Sequence, residues 1–584
     1  MPTMRALHLR ALNLRGLSVG LAALVSATAA LAQFDGPAPL AWRWVPNVAR
    51  AAAIGAPLVN NGMVYMSAGG RIFALDKETG NKRWQFPPLD PIEGTFKTSP
   101  ILAGNVLVAP GDNKQIYGID PNTGDSKWNY LAPASLIGQP VLVGKFVVFA
   151  MSDNSLMALN PDTGEAAWAV PYRIFNGIVG SLGASGSDVL LFTGRQELQA
   201  LNVTTQKTDW KRQLEQVPPN ATPVVSNGAI YINSGSYLVS ITSATGIPRW
   251  QIRLPFVPEF SPTVSASSVL VVSNEGYAQA FDFDHKPLTK KPIDLESSPM
   301  VQPSATGDIF VIPTTNGAIN LLDPKKGDLL WSYLVKPLPE ALSAANQRQG
   351  GNGFGAPPGG GGVGRGGGQG GGQGNRGRNG QNNQNDIPTF VQASGPAVVS
   401  GKTLLIPARD GSLLAFDPDL GVDLTPPDVK MLFPNPGDQV SGLPPLIFQF
   451  KVEDEASGIR KDSLKIQVDG KDLAYELEKN GTITVRFSTA DQKMSTKPVN
   501  KPLSDGRKVI EITVSDWMNN KTIKSFSLTI DNTLRPVLLP GQQDPNQRNP
   551  GFPGGPPGGG GKGGRGGGGG AGGGGGFGGG GEGR

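Results

Sequence analysis

Residues 74–84 read Ala-Leu-Asp-Lys-Glu-Thr-Gly-Asn-Lys-Arg-Trp, and within them Asp76, Gly80 and Trp84 stand four residues apart. An Asp or Asn side chain folds back onto the amides of a turn, and Gly accepts the positive φ that the reversal needs. The phrase therefore predicts a tight turn and a following strand that carries the tryptophan. It returns with the same spacing in three clean copies: Asp120/Gly124/Trp128, Asn160/Gly164/Trp168 and Asp323/Gly327/Trp331.

Tryptophans recur along the chain at a step of 40 to 44 residues, provided that one position near Lys290 is left empty. They are Trp44, Trp84, Trp128, Trp168, Trp210, Trp250 and Trp331. A fixed period of this size is typical of a propeller or array, in which one sheet cannot bury its faces alone. Weaker turn phrases mark the other repeats: Asn202/Gln206/Trp210 without its Gly, Thr242/Gly246/Trp250 without its acid, Asp282 with little besides the acid, and Asp417/Gly421 with no tryptophan after it.

One repeat contains four predicted strands, at residues 98–102, 105–109, 115–119 and 126–130. The tryptophan of the fourth strand is expected to enter the neighbouring sheet. Burying one such ring removes roughly 150 to 250 Å² from water, an upper-bound stabilisation of about 4 to 6 kcal/mol. The alternative is an all-β sandwich in which the tryptophan spacing arises by chance.

The two ends of the repeat region predict how the ring closes. The eighth unit lacks its tryptophan strand, whereas Trp42 and Trp44 stand at the start of the chain with no turn phrase before them. We therefore predict an all-β fold in which the N-terminal strand completes the last sheet, since closure leaves no open sheet edge. The prediction is an eight-bladed β-propeller over residues 40–421, with seven blades as the alternative.

The phrase at residues 74–84 and its copy at 158–168 resemble the tryptophan-docking repeat of the pyrroloquinoline quinone (PQQ) propeller superfamily. The resemblance covers about residues 40–421 and implies a β-propeller. That superfamily includes quinone-dependent dehydrogenases and also propellers that bind no quinone, such as the scaffold lipoprotein of the bacterial outer-membrane barrel-assembly machine. The chain has no cysteine, so it departs from that lipoprotein in having no residue for lipid attachment.

The resemblance also states what a quinone enzyme of this superfamily contains. Its quinone stacks between a tryptophan and a vicinal disulfide, its calcium is held by Glu, Asn and Asp, and an Asp on long loops acts as the base. This chain has no cysteine pair, and its repeats are too short for such loops. We therefore predict no enzymatic activity and no cofactor, and we assign no catalytic, cofactor-binding or metal residue. A PQQ-dependent alcohol or sugar dehydrogenase is the alternative.

Few residues qualify as candidates for site chemistry. His8 falls within the predicted export signal, and His285 is left as the sole candidate for a histidine-based triad. The repeat register places His285 in a surface turn. The carboxylates of Asp454, Glu455 and Asp516 could supply oxygen ligands to calcium, but we interpret them as solvated turn residues.

The first 32 residues have the features of a secretory signal. Three arginines precede an apolar stretch over residues 17–31, and Ala30-Leu31-Ala32 fits cleavage after small residues. The mature protein is therefore predicted to be exported, to the periplasm or the cell surface, with no transmembrane segment after removal of the signal. A retained membrane anchor is the alternative, although the apolar run is short.

Two glycine-rich segments are predicted to be disordered, an insertion at residues 343–388 and a tail at 536–584, because they contain almost nothing apolar to bury. Arg-Gly tracts can accompany RNA, but here arginine and aromatic residues are sparse and the net charge is only +5. We predict no nucleic-acid partner.

Residues 424–535 are predicted to form a separate β-sandwich of about seven strands. Apolar and polar residues alternate in the runs 446–452, 464–468, 482–487, 509–514 and 526–530, as in strands with one solvated face. The turn segments 453–459 and 515–520 resemble those of Ig-like modules in secreted bacterial surface proteins.

The sequence as a whole predicts an exported, non-enzymatic scaffold or binding protein of the bacterial cell envelope. The expected partner is a protein or other envelope material, and both outer-membrane assembly and surface adhesion remain open as the role. A closed ring with short loops would serve as a rigid platform for such binding.

Overall fold

The computed structural model describes residues 34–46, 55–218, 220–338, 390–478, 481–488 and 498–536. The predicted signal at 1–32, the glycine-rich insertion at 343–388 and the tail beyond residue 536 lie outside these ranges. The described residues form 41 strands and no helix. Accordingly, no helix among them has the length and apolar character needed to span a membrane.

Eight four-stranded sheets lie between residues 40 and 416 of the described chain. The strands of the first four sheets are β2 (Leu58–Asn60), β3 (Met63–Ala68), β4 (Arg71–Asp76), β5 (Lys82–Phe86); β6 (Ile101–Ala103), β7 (Val106–Pro110), β8 (Gln115–Ile119), β9 (Ser126–Leu131); β10 (Leu136–Val143), β11 (Phe146–Met151), β12 (Ser155–Leu159), β13 (Tyr172–Arg173); and β14 (Ile178–Ser185), β15 (Asp188–Thr193), β16 (Glu197–Asn202), β17 (Lys207–Gln213).

The strands of the next three are β18 (Val224–Ser226), β19 (Ala229–Ser234), β20 (Tyr237–Thr242), β21 (Pro248–Arg253); β22 (Thr263–Val264), β23 (Ser268–Val272), β24 (Tyr277–Asp282), β25 (Ile293–Asp294); and β26 (Ser304–Thr306), β27 (Ile309–Pro313), β28 (Ala318–Asp323), β29 (Asp328–Leu334). The eighth sheet contains β30 (Val398–Ser400), β31 (Thr403–Pro407), β32 (Leu413–Phe416) and β1 (Leu40–Trp44).

The eighth sheet is completed from the start of the chain. Strand β1 pairs antiparallel with β32, so that Leu40 lies opposite Phe416 and Trp44 opposite Leu413. Arg43 fastens this strand, since its guanidinium forms an ion pair of 2.5 Å with Asp410 and donates a hydrogen bond to the Lys336 carbonyl at 2.8 Å. The N-terminal strand therefore pairs with the last sheet, as the sequence predicts.

Apolar clusters join each sheet to the next around the ring. Eight of them span successive pairs of sheets, and each draws buried residues from both members of its pair. One cluster joins the last sheet to the first, because Val64 and Phe73 pack with Leu405 and Leu413. Closure thus buries the outer faces of the terminal sheets, and the predicted all-β propeller fold is confirmed.

Tryptophans on the outermost strands, or just before the outermost strand in the case of Trp168, dock onto the turns of the following sheets. In six cases the indole N–H donates to the carbonyl of the residue that follows the turn acid or its equivalent. The pairs are Trp42 to Lys77 at 3.0 Å, Trp84 to Pro121 at 3.1 Å, Trp128 to Pro161 at 2.7 Å, Trp168 to Val203 at 2.9 Å, Trp210 to Ser243 at 3.1 Å and Trp250 to Phe283 at 3.1 Å.

The prediction that Trp44 is the first tryptophan of the docking series is wrong. The first docking ring belongs to Trp42 rather than Trp44, because Trp42 lies against Gly80 and donates to Lys77. Trp44 instead meets Phe73 edge-on at 5.0 Å between ring centroids. Both residues lie on the closing strand, and the spacing from Trp84 fits either of them.

The turn phrase works as its chemistry predicts. Asp76 Oδ1 accepts hydrogen bonds from the amides of Glu78 and Thr79, at 3.1 and 3.0 Å, and Gly80 has a φ of 68°. A hydrogen bond from Arg83, together with the turn amides, lowers the pKa of Asp76 to about 2. The carboxylate thus stays ionised and holds the turn.

The glycine of the phrase is needed for space as well as for φ, because a Cβ on Gly164 would lie 2.5 Å from the Trp128 ring. We expect Gly164→Ala to lower the free energy of unfolding by about 2 to 4 kcal/mol, through strain and displacement of the ring. Gly62 is the matched control, since its φ is also +75° and a Cβ there would meet nothing within 4 Å. Denaturant unfolding of both variants measures the difference; equal losses would contradict the docking argument.

In two repeats that lack part of the turn phrase, other residues occupy the positions of the missing glycine and tryptophan. Gln206 takes the glycine position with a φ of 56°, and Thr289 occupies the position of the missing tryptophan near Lys290. A Cβ on Gly327 would lie 3.0 Å from the Thr289 methyl group. The smaller side chain leaves more space beside the seventh sheet.

The second unit is a β-sandwich of two sheets over residues 428–530. One sheet contains β33 (Asp428–Phe433), β35 (Leu446–Glu453), β39 (Thr482–Phe487) and β38 (Glu476–Leu477). The other contains β34 (Gln439–Val440), β41 (Lys521–Ile530), β40 (Gly506–Asp516), β36 (Ile459–Val468) and β37 (Lys471–Asp472). Phe448 and Phe450 of the first sheet pack with Ile510 and Ile512 of the second. The five predicted runs form β35, β36, β39, β40 and β41; the relation to Ig-like modules stays a prediction.

Candidate functional site

Trp331 joins the propeller to the sandwich. It is fully buried, and its indole N–H donates to the Ser457 carbonyl of the sandwich at 3.0 Å. The repeat pattern predicts that this ring enters the next propeller sheet. Its edge does pack against Phe416 of the eighth sheet, with 5.1 Å between centroids, but its hydrogen bond goes to the sandwich. The sandwich loop thus takes the place of a propeller turn.

The loop at residues 453–458, which we call the junction loop, offers three consecutive carbonyls to the propeller. Beside Ser457, the Glu455 carbonyl accepts from the Tyr333 hydroxyl at 2.9 Å, and the Ala456 carbonyl accepts from the Leu40 amide at 2.9 Å. Burial raises the pKa of the Tyr333 phenol far above its usual range, so the hydroxyl remains a donor at neutral pH. Donors from β1 and β29 therefore hold one loop of the sandwich.

Within the junction loop, the side chain of Asp454 binds the backbone amides of the residues that follow it. Its Oδ1 accepts hydrogen bonds from the amides of Ala456, Ser457 and Gly458, at 3.2, 3.0 and 2.7 Å. The loop therefore points its amides at Asp454 and its carbonyls at the propeller. A Cβ on Gly458 would approach the Tyr333 ring to 3.3 Å, and Gly458 has a φ of +85°, so glycine suits this position.

Charged side chains line the junction where it opens to solvent. Lys461 of the sandwich pairs with Glu296 of the propeller at 3.0 Å, while Lys336 lies 3.9 Å from both Glu453 and Glu455. Exposed pairs of this kind contribute little to stability. These ion pairs therefore add little to the attachment of the sandwich to the propeller.

A cleft of about 700 Å³ lies between the two units, next to the missing tryptophan. Its walls include Thr289 and Trp331 of the propeller and Ile459, Lys461 and Trp517 of the sandwich. An indole in place of Thr289 would fill part of this cleft.

Three carboxylates converge behind the junction loop. Asp423, Asp454 and Asp516 each offer an oxygen atom within 4.8 Å of the others. Burial raises the pKa of the Asp454 carboxyl, its amide hydrogen bonds oppose the shift, and the neighbouring charges of Asp423 and Asp516 add to it. The interpretation of Asp454 and Asp516 as solvated turn residues is therefore wrong, since both are buried; Glu455 is exposed.

Sequence reasoning missed Asp423 because it lies in the linker between propeller and sandwich, outside any recognisable turn phrase. His285 lies in the turn after β24, exposed, with a φ of 64° and its ring 5.8 Å from that of Trp250. This placement agrees with the predicted surface turn. Among the described residues, the three carboxylates are the one group of three or more His, Cys, Asp or Glu ligand atoms that converge closely.

One end of the propeller carries exposed apolar side chains. We call it the connection face, because there the outermost strand of each sheet leads into the first strand of the next. Phe175 is 93% exposed and Leu89 is 81% exposed, and Leu131 and Val257 also lie exposed in such connections. On the opposite face Ile247 is 62% exposed, in the turn between β20 and β21.

A ring of tryptophan-docked sheets with a β-sandwich fixed to its rim defines a propeller scaffold of the PQQ-repeat class. The comparisons with known proteins agree. The chain belongs to the family described as outer membrane protein assembly factor BamB, which matches residues 20–91, 68–284 and 194–421.

Individual relatives are more distant. The serine/threonine-protein kinase AfsK of Streptomyces griseus is 31% identical over 81 residues, which make up 13% of this chain and 10% of the kinase. The chain thus spans about a tenth of the length of that relative.

Two solved structures are similar to part of this chain. BamB from Moraxella catarrhalis is 14% identical with a TM-score of 0.45, covering 64% of this chain and 98% of that chain. The computationally designed Ika8 protein is 11% identical with a TM-score of 0.45, and the coverage is again 64% and 98%.

Proposed function

We propose that the protein is an exported, non-enzymatic scaffold of the bacterial cell envelope, which binds a protein partner in outer-membrane assembly. Its membership of the assembly-factor family over residues 20–421 is the observation that carries this proposal. The lack of any cysteine supports a non-enzymatic role, because the quinone enzymes of the superfamily use a vicinal disulfide.

The connection face is the surface that we assign to the partner. Exposed side chains of Leu89, Leu131, Phe175 and Val257 are distributed around it. Phenylalanine is among the residues enriched in protein interfaces, and the ring of Phe175 is almost wholly exposed. The closed ring fixes both ends of each connection, which limits the ordering entropy that is lost when a partner binds.

Site-specific photo-crosslinking in the native host tests this assignment. A photoreactive amino acid at Phe175 or Leu89 is expected to give adducts with outer-membrane proteins or their assembly components, in the envelope fraction. The matched control is Ile247, an exposed apolar residue on the opposite face, which should give none. Mass spectrometry identifies the adducts.

Substitution of the same residues adds a quantitative measure. Phe175→Asp together with Leu89→Asp should reduce adduct formation from a probe at Val257 at least fivefold without lowering the melting temperature, since both side chains are solvated. Equal adducts from both faces would contradict the surface assignment. Reduction of a dye by the purified protein with PQQ, calcium and an alcohol or sugar would contradict the non-enzymatic role.

A further inference from the structure

The three carboxylates behind the junction loop come from three separate segments. Asp423 lies in the linker that leaves the propeller, Asp454 follows β35, and Asp516 ends β40. They are 8%, 9% and 0% exposed. Folding therefore brings together three acidic groups that are far apart in sequence and removes them from water.

Nothing in the described part of the chain balances their charge. None of the three forms an ion pair with a described Lys or Arg, whereas the half-buried acids Asp76 and Asp120 do. Burying a charge without a partner is costly, and placing like charges side by side adds to the cost. A bound cation would supply the missing charge and remove this cost.

Hydrogen bonds account for part of this cluster and leave one fully buried carboxylate oxygen without a partner. Asp516 Oδ1 and Oδ2 both accept hydrogen bonds from Asn520, at 2.8 Å each. Asp423 Oδ1 accepts from the amide and hydroxyl of Thr425, at 3.1 and 3.2 Å. Asp423 Oδ2 is fully buried and has no hydrogen-bond partner among the described residues, and the hydroxyl of Ser457 is in the same condition.

An unpartnered carboxylate oxygen beside two further carboxylates suits a hard cation. Calcium takes six to eight oxygen ligands at about 2.3 to 2.6 Å, so two ligands on opposite sides of the ion are about 4.6 to 5.2 Å apart. The three carboxylates, within 4.8 Å of one another, fit that span. Magnesium requires about 2.0 to 2.1 Å and a tighter octahedron.

We propose that Asp423, Asp454 and Asp516 bind one calcium ion, which fixes the junction loop and so holds the sandwich on the propeller. Asp454 connects ion binding to the junction. Its carboxylate accepts hydrogen bonds from the amides of residues 456–458, and the carbonyls of residues 455–457 accept hydrogen bonds from Tyr333, Leu40 and Trp331. Asp516 is followed by Trp517, which packs against the cluster of the seventh and eighth propeller sheets. The ion would therefore tie the linker, the loop and β40 at one point.

Calcium titration of the full chain, after treatment with EDTA, tests the proposal by calorimetry and by thermal unfolding. The expected result is saturable binding of one ion and a melting temperature that rises with calcium concentration. Asp423→Asn and Asp516→Asn should each weaken binding at least tenfold. Glu455→Gln is the matched control, because Glu455 belongs to the same loop but is exposed, and it should bind as the wild type does.

A second readout does not depend on stability. Terbium should replace calcium and emit light when the tryptophans are excited, because Trp517 adjoins Asp516. Calcium should reduce this emission by competition. Trp517→Phe, which keeps all three carboxylates, should reduce the emission and retain the calcium affinity.

Three results would overturn the proposal: no saturable calcium binding by the wild type at millimolar concentration, unchanged affinity in Asp423→Asn and Asp516→Asn, or magnesium binding as tight as that of calcium. Circular dichroism shows whether the variants fold. If one of them does not, the terbium titration of the wild type alone decides the matter.

Discussion

Deletion of residues 34–46 is expected to destroy the cooperative fold of the propeller. It removes β1, which supplies the outermost strand of the eighth sheet, and with it Trp42, Trp44 and the ion pair of Arg43 with Asp410. The loss should exceed about 5 kcal/mol, which is comparable to the net stability of an ordinary domain. Strand β32 would also expose an unpaired edge, which favours aggregation.

Circular dichroism, calorimetry and size-exclusion chromatography of the purified variant measure this effect. Deletion of residues 537–584 is the control, because it leaves every described strand in place. A variant without residues 34–46 that stays monomeric and unfolds at the wild-type temperature would show that β1 contributes nothing to closure.

Replacement of Trp331 by alanine is expected to release the sandwich from the propeller. The ring is fully buried between the two units, so its removal leaves a cavity and should lower the free energy of unfolding by about 3 to 5 kcal/mol. Because the Ser457 carbonyl loses its donor as well, we expect calorimetry to show separate transitions for the propeller and the sandwich. Protease cleavage in the linker near Asp423 should become faster.

Two other variants separate the contributions of the ring and of its hydrogen bond. Trp331→Phe keeps much of the apolar volume and loses the indole N–H, so it should cost about 1 to 3 kcal/mol. Trp250→Ala removes a docked ring that is only partly buried and lies away from the junction, and it should leave the linker as resistant as in the wild type. Linker cleavage that is equally fast in Trp331→Ala and Trp250→Ala would mean that Trp331 has no special role at the junction.

The propeller could be predicted because its decisive interactions are local. Each turn phrase fixes its own reversal, and each tryptophan meets the next turn about 35 residues further on, as Trp168 meets Val203. The closing strand was also predictable, from Trp42 and Trp44 standing without a turn. The choice between them was not, since both rings face a partner, Trp42 at Gly80 and Trp44 at Phe73.

The junction could not be predicted, because its contacts join residues more than a hundred positions apart. Trp331 meets Ser457 across 126 positions, and nothing around Trp331 distinguishes it from the other tryptophans of the repeat. Asp454 and Asp516 look like ordinary turn acids in the sequence. Their burial follows from the docking of the sandwich, which places the linker residue Asp423 beside them.

Hydrogen–deuterium exchange of the intact protein tests the closed ring most directly. The amides of β1, Leu40–Trp44, that face β32 are predicted to be protected from exchange, because the ladder they share with Leu413–Phe416 opens only when the ring opens. Exchange of Leu40–Trp44 at the rate of a free tail, while Leu413–Phe416 remains protected, would contradict the closed ring.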